Sequence, residues 1–415
     1  MQEKIILHIH EPEELENLYQ SNQELFTDSF QNIYPLIKEN NIAQVWFYRL
    51  QNSFSNLESK KMNKSYLFII IVSCILACCI VKFPIIFNLK EDVFFAKNIS
   101  FLVFPFMCFY FLWKNKDSFK KYVIVFSIIL ISVVYINLVF VDVSDTIFLS
   151  QIHLPLFIWS LVGISFVGNN YKSEELRLNF LRLNGNVIIM GGLLFIASLI
   201  LAGITISLFG LIGINIEKFY FENIFQWMVV SIPLVSLYIV QLNPKLVNKI
   251  SPLIAKIFSP LVLITLLVYL GAIIYSNKNP YNNREFLMIF NGLILGVLVI
   301  IAFSVAEHAS SHKNNWELII LLALTTVTII INIIAVSAVV MRINEQGITP
   351  NRIAVLVGNI LMFVHLILIS KSLWLSLKEK GKVKAVENAI TSFLPVYIIW
   401  TVFVIFILPL LFNFK

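Results

Sequence analysis

The chain has 415 residues, of which 58% are hydrophobic and 13% charged, with 31 Lys and Arg against 24 Asp and Glu for a net charge of +7. Soluble domains carry roughly 45–50% apolar and about 25% charged residues, and a mean hydropathy of +0.83 is too high for a water-soluble core to absorb. Lipid is therefore the expected solvent for most of the chain, which excludes disorder, collagen-like repeats and a disulfide scaffold, and the basic surplus points to loops facing anionic lipid rather than to nucleic acid.

Residues 1–60 are expected to form a cytosolic helical segment, and residues 61–415 a polytopic transmembrane domain. No secretory signal opens the chain, so its amino terminus should stay on the side of synthesis. Pro12 suits a helical first turn, and Glu13 and Glu14 favour a helix amino terminus. Leu15, Leu18 and Tyr19 follow at helical spacing. A second helix is predicted from Leu25, Phe26, Phe30, Ile33, Tyr34 and Ile37, and a third from Ile42, Val45, Trp46, Leu50, Phe54 and Leu57. Sixty residues bury little surface by themselves, so this segment is expected to lean on cytoplasmic loops or on a protein partner.

Eleven apolar runs then follow, long enough to approach the roughly 30 Å of a bilayer core: 66–86, 99–113, 122–141, 147–167, 187–213, 224–242, 257–276, 286–306, 317–341, 353–374 and 392–412. Each should be a helix, because a backbone in hydrocarbon must satisfy its own hydrogen bonds. The second run is short, and it could start at Val93 with Lys97 and Asn98 at the headgroups. With the amino terminus inside, the cytoplasmic segments from Lys60 onward hold 18 Lys and Arg against eight outside. That bias supports the count of eleven and places the carboxyl terminus outside. Pro84, Pro105, Pro155, Pro233, Pro395 and Pro409 should kink their helices, and Gly292 with Gly296 makes a spacing that permits close helix approach.

Two cytoplasmic segments, 173–184 and 245–258, read as interfacial helices or as solvated connectors. In the first, Leu176, Phe180 and Leu183 align beside Arg177 and Arg182, with Gly185 as a stop. In the second, Lys245, Lys249 and Lys256 can reach the phosphates of anionic lipid headgroups.

Ionisable groups within the runs are few. Lys82 and Lys371 lie near span ends, where they can snorkel to the interface. His365 sits near mid-span and should find a partner in Asn332, Thr328 or Asn359, while His153 lies nearer the outer face. A transport path would need Asn137, Asn291, Asn332, Asn359 and His365 to converge on a polar cavity at mid-depth. Glu307, His308 and His312 form the one metal-like set, with two histidines four residues apart on one helical face. They lack the internal Glu of a zincin and an evident third strong ligand, so no cofactor or metal is assigned. Cys74, Cys78, Cys79 and Cys108 all fall in apolar runs and read as small inert side chains.

The stretch from Gly191 through Glu307 carries NPKLVNKISPLIAKIFSPLVLITLLVYL (243–270), NPYNNREFLMIFNGLILG (279–296) and FSVAE (303–307). On these segments the chain resembles a bacterial family of multi-pass membrane proteins, domain-of-unknown-function family 4153. The segment ELENLYQSNQELFTDSFQNIYP (14–35) looks like a tail seen on such proteins. The resemblance implies an inner-membrane protein with no assigned activity and transfers no catalytic residue. The expectation is thus an all-α polytopic helix bundle of the bacterial cytoplasmic membrane. Three function classes stand open: a non-catalytic membrane or envelope component, a transporter or lipid flippase, and a membrane-embedded metal-dependent enzyme.

Overall fold

The computed structural model describes residues 1–138, 144–211, 215–242, 259–264, 266–268, 270–271, 284–308, 315–378 and 383–414. Every regular element among them is helical. By their contacts they divide into two compact units, Met1–Val72 and Ser73–Lys415.

The first unit holds α1 (Gln2–Leu7), α2 (Pro12–Ser21), α3 (Gln23–Ile37) and the start of α4 (Asn41–Val81). Asn22 caps α3 by accepting the Leu25 N–H at 2.9 Å, and Asn40 caps α4 by accepting from Ile42 at 2.8 Å. Ile5, Leu15, Phe26, Phe30, Ile33, Trp46 and Leu50 make the core. Leu25 and Val45 are exposed instead, because each lies one residue, about 100° of helix, from the buried residue that follows it. Arg49 pairs with Glu16 at 2.7 Å and lies over the Trp46 ring, tying α4 to α2. The Gln20 amide and the Arg49 guanidinium beside Glu16 hold its carboxyl below the usual range. The expected third helix does not end near Leu57. It continues to Val81 as a 41-residue helix, since the linking sequence ESKKMNKS contains neither Gly nor Pro to stop it.

The second unit continues through α5 (Phe83–Ile86), α6 (Glu91–Asn98), α7 (Phe104–Lys114), α8 (Phe119–Leu138), α9 (Asp145–Val167) and α10 (Glu174–Leu211). After α11 (Glu217–Phe219) and a π-helical turn at Tyr220–Phe225 come α12 (Gln226–Leu242), α13 (Arg284–His308), α14 (Asn315–Gln346), α15 (Pro350–Lys378) and α16 (Val383–Val402). A second π-helical turn, Phe403–Ile407, leads into α17 (Leu408–Leu411).

Nine helices among the described residues are long and apolar enough to cross a membrane. The two remaining expected spans, 66–86 and 257–276, correspond to the shorter apolar helices Ser65–Val81 and Ser259–Val268, the latter running over residues outside the described set. The doubtful second span is a composite, Glu91–Lys114, in which α6 gives way to a 3-10 turn and then to α7, with Pro105 in the first turn of α7. Side chains such as Ile131 on α8 are 61% exposed, which only a lipid solvent makes favourable.

Side-chain contacts fix the sense of some helix pairs. Lys82 donates to Asn223 Oδ1 at 3.0 Å and to Gln226 Oε1 at 3.2 Å, and Cys78 lies beside Ser231, so the end of α4 runs antiparallel to α12. Lys82 is therefore held by protein oxygens at the end of its span. Asn98 and Asn137 exchange two amide hydrogen bonds, at 3.1 and 2.8 Å, and with Phe109 edge-on to Tyr122 this runs the composite Glu91–Lys114 span antiparallel to α8. Lys114 meets Gln241 where α7 and α12 both end.

The predicted interfacial helix at 173–184 is the first third of α10, which passes Gly185 without stopping. A Cβ at residue 185 would lie 2.0 Å from the Phe303 ring. The glycine thus serves close approach of α10 and α13, and no left-handed stop occurs. Gly292 and Gly296 do the opposite of what their spacing suggested, since among the described residues a Cβ at either would meet no atom within 4 Å. The 245–258 segment lies outside the described residues.

Candidate membrane-depth cavity

Two prolines in α16 and α17 set the local chemistry. A proline cannot donate to the carbonyl four residues before it. Pro409 leaves the Ile405 carbonyl free, and Tyr135 Oη and Ser150 Oγ donate to that oxygen at 2.9 and 3.1 Å. Pro395 leaves the Thr391 carbonyl free, and Arg177 Nη1 donates to it at 3.3 Å. Lipid offers no donor, so such carbonyls must be satisfied by neighbouring helices.

Between α9, α10, α13, α15 and α16 lies a cavity of about 1750 Å³. Its wall takes one face of each helix. On α10 this face is Arg177, Phe180, Leu181, Asn184, Ile188 and Ile189, spaced by the three and four residues of a helical stripe. On α9 the wall runs from Asp145 to Val167, a helix of 23 residues. At about 1.5 Å per residue that is about 34 Å, the full depth of a hydrocarbon core of roughly 30 Å. The wall is largely aliphatic and aromatic, and Ile188 and Val299 within it are 67% and 53% exposed. The space beside them is thus unfilled by side chains.

Polar groups occupy three levels. At mid-depth, Asn359 Nδ2 donates to Asn291 Oδ1 at 2.7 Å, and Asn332 Nδ2 donates to the Asn359 carbonyl at 3.3 Å. His365 Nδ1 lies 3.0 Å from Tyr397 Oη, with the ring tautomer deciding which donates, and the imidazole stacks on Phe393 at 4.5 Å. Asn359 and His365 are 1% and 2% exposed, and among the described residues Asn359 Oδ1 has no hydrogen-bond partner. Asn291, Asn359 and His365 line the cavity. Asn332 stands behind that wall, and Asn137 is spent on Asn98 elsewhere. The partner of His365 comes from α16, not from the three residues expected on α14 and α15. His153 also lines the wall, with Nδ1 2.9 Å from the Leu149 carbonyl.

One end of the cavity gathers Asp145, Arg342, Glu345 and Arg352. Gly347, at φ +78°, ends α14, and Thr349 Oγ1 accepts the Arg352 N–H as α15 begins. Arg352 Nη1 donates to the Gln346 and Gly347 carbonyls at 2.9 and 2.7 Å. The opposite end holds Tyr171 and Arg177. Ser173 caps α10 by accepting from Leu176 at 3.2 Å, which places Arg177 in the first turn. Its Nε and Nη2 donate to the Tyr171 carbonyl at 3.1 and 2.6 Å.

Deeper on α10, Arg182 bonds the Ala306 carbonyl and lies 3.7 Å from Glu307. Glu307 is thereby engaged in joining α10 to α13. The side chain of His308 and the whole of His312 lie outside the described residues, so the Glu307, His308 and His312 set falls outside them too. Among the described residues no three His, Cys, Asp or Glu side chains are grouped as metal ligands.

The sequence reading did not single out Trp159, Asn184, Tyr397, Trp400 or Arg352 as wall residues. Trp159 and Trp400 both line the cavity, and Trp159 Nε1 donates to Asn184 Oδ1 at 2.8 Å. For Arg177 a signal did exist, since Pro395 announces an unpaired carbonyl at Thr391. No family model, no curated protein and no solved structure matches the chain.

Proposed function

We propose that this protein is a non-enzymatic, multi-pass component of the bacterial cytoplasmic membrane that takes a long-chain amphiphile into its cavity, in the manner of a transporter or lipid flippase. The observation that carries this reading is the cavity itself. A volume of about 1750 Å³ exceeds the roughly 300–1,000 Å³ of small-ligand sites, and its largely apolar wall suits alkyl chains. The buried amides and imidazole at mid-depth give polar parts of such a molecule something to bond while it is inside.

The finer topology belongs to the same proposal: eleven crossings, the amino terminus inside and the carboxyl terminus outside. The antiparallel pairing of the end of α4 with α12 supports a crossing at Ser65–Val81, and the excess of basic residues in alternate segments supports the orientation. Under this orientation Arg177 is cytoplasmic and Arg352 outer. Membership of family 4153 rests on the resemblance of 243–307. A protein partner for the amino-terminal unit is supported by its exposed Leu7, Leu36 and Tyr48, and anionic lipid headgroups are proposed to neutralise its basic loops.

The test is photo-crosslinking in nanodiscs with a lipid carrying a diazirine in its acyl chain. Labelling should reach buried wall residues such as Leu298 and Met362 and should fall several-fold in Gly292→Phe, which fills the cavity from a position with open space around it. Labelling confined to outward residues such as Ile131, unchanged by Gly292→Phe, would sink the proposal.

A further inference from the structure

The two ends of the cavity differ in charge. At the Arg352 end, Arg342 and Arg352 share the wall with Asp145 and Glu345, so two cations meet two anions. At the Arg177 end, Arg177 is the single charged residue among the lining residues of that level. Its partners are the Tyr171 and Thr391 carbonyls, and no carboxylate among the described residues pairs with it. Carbonyls take hydrogen bonds without cancelling charge. A guanidinium has five N–H groups and does not lose its proton. Three N–H groups are committed to these carbonyls, which leaves two, on the Nη atoms, for another acceptor.

The guanidinium is also held in place. The Thr391 carbonyl it bonds is the one that Pro395 leaves unpaired, so the fork is anchored to α16 on one side and to the α9–α10 connection on the other. Lys172 sits over the adjoining Tyr171 ring at 6.0 Å and adds positive potential at this level. Glu174 and Glu175 lie in the same turn of α10 but are not among the lining residues. The apolar stripe of Phe180, Leu181, Ile188 and Ile189 runs away from Arg177 along α10. A charged head at Arg177 thus has chain-compatible wall beneath it.

We propose that Arg177 is the headgroup subsite of the cavity, and that the ligand is an amphiphile whose long chain ends in an anionic oxyacid, phosphate or carboxylate, seated at this end and not at the Arg352 end. The assignment rests on the amphiphile reading above and adds the charge and the polarity of the bound molecule. Planar N–H pairs match such oxyanions, and a hydrogen bond between two ionised groups is stronger than one between neutral groups.

The test compares phosphatidic acid with diacylglycerol of the same chains, which differ only in the phosphate, on the purified full chain in neutral detergent, reading bound lipid by mass spectrometry. Phosphatidic acid should bind more tightly by about tenfold, the scale of one charge-assisted contact at a partly exposed site. Arg177→Gln should abolish that preference while leaving diacylglycerol binding unchanged, and Arg352→Gln should leave both unchanged. Pro395→Ala restores an N–H for the Thr391 carbonyl, so Arg177→Gln in that background separates loss of the anion from loss of a helix contact and should still lose the preference. Inorganic phosphate alone, in millimolar amounts, should displace phosphatidic acid only weakly. Equal binding of the two lipids, a preference that survives Arg177→Gln, or one that vanishes with Arg352→Gln would overturn the assignment. Ready displacement by inorganic phosphate would make this a free-anion site and overturn it too. Failure of both lipids to bind would instead sink the amphiphile reading on which it rests.

Discussion

Two glycines show how the same residue type acts in opposite ways. Gly185 is pressed by the Phe303 ring, whereas Gly292 faces the open cavity. Gly185→Ala must push an aromatic ring out of place, and overpacking of this kind costs about 1–3 kcal/mol. Gly292→Ala meets no atom and should gain about 0.5–1 kcal/mol from reduced backbone freedom in a helix interior. Thermal unfolding of the purified variants should therefore shift in opposite directions. Equal shifts would contradict the placement of the cavity against α13. Neither environment could be read from the letters. The Gly292–Gly296 spacing looks like a packing motif, and Gly185 looks like a helix stop, because what decides each is an atom from a helix over a hundred residues away or its absence.

At the scale of elements, the prolines are the most informative letters in the chain. Pro395 and Pro409 each free one carbonyl, and each carbonyl draws donors from other helices. The Tyr135, Ser150 and Ile405 arrangement can be tested by a cycle. Removing both hydroxyls with Tyr135→Phe and Ser150→Ala should cost about 1–3 kcal/mol, the penalty for an unsatisfied buried carbonyl. In a Pro409→Ala background, where the residue 409 N–H can serve Ile405, most of that cost should vanish. A cost that persists would mean that the hydroxyls act through something other than this carbonyl. The expectation of kinked helices came from the prolines alone. Their donors were not legible, because Tyr135 and Ser150 lie more than 250 residues away in sequence. Span boundaries were legible wherever a long apolar run met charge. They were less so at Glu91–Lys114, where a break and a 3-10 turn let a chain with Lys97 and Asn98 inside it serve as one span.

For the whole molecule, composition announces the solvent and periodicity announces the helices, and both agree with nine membrane-length helices among the described residues. A cavity is harder to foresee. Its walls are the same Leu, Ile and Phe stripes that would otherwise be packing surfaces, so sequence distinguishes a filled interface from an open one only through the polar residues caught between. Asn291, Asn359 and His365 gave that signal and lie in the wall, while Asn137, of the same residue type and also within a span, is consumed by a reciprocal amide pair with Asn98. Lys82, expected near a span end, is held there by oxygens of the π-helical turn and α12. A long amphiphile in the cavity ties these features together, since it needs depth, an apolar wall and a few buried polar contacts at once. The direct measurement is an electron cryo-microscopy map of the full chain in native-lipid nanodiscs. The account predicts elongated density between α9, α10, α13 and α15, reaching from the level of Arg177 past His365. A map in which those helices close on one another, with side chains alone filling the space, would contradict it.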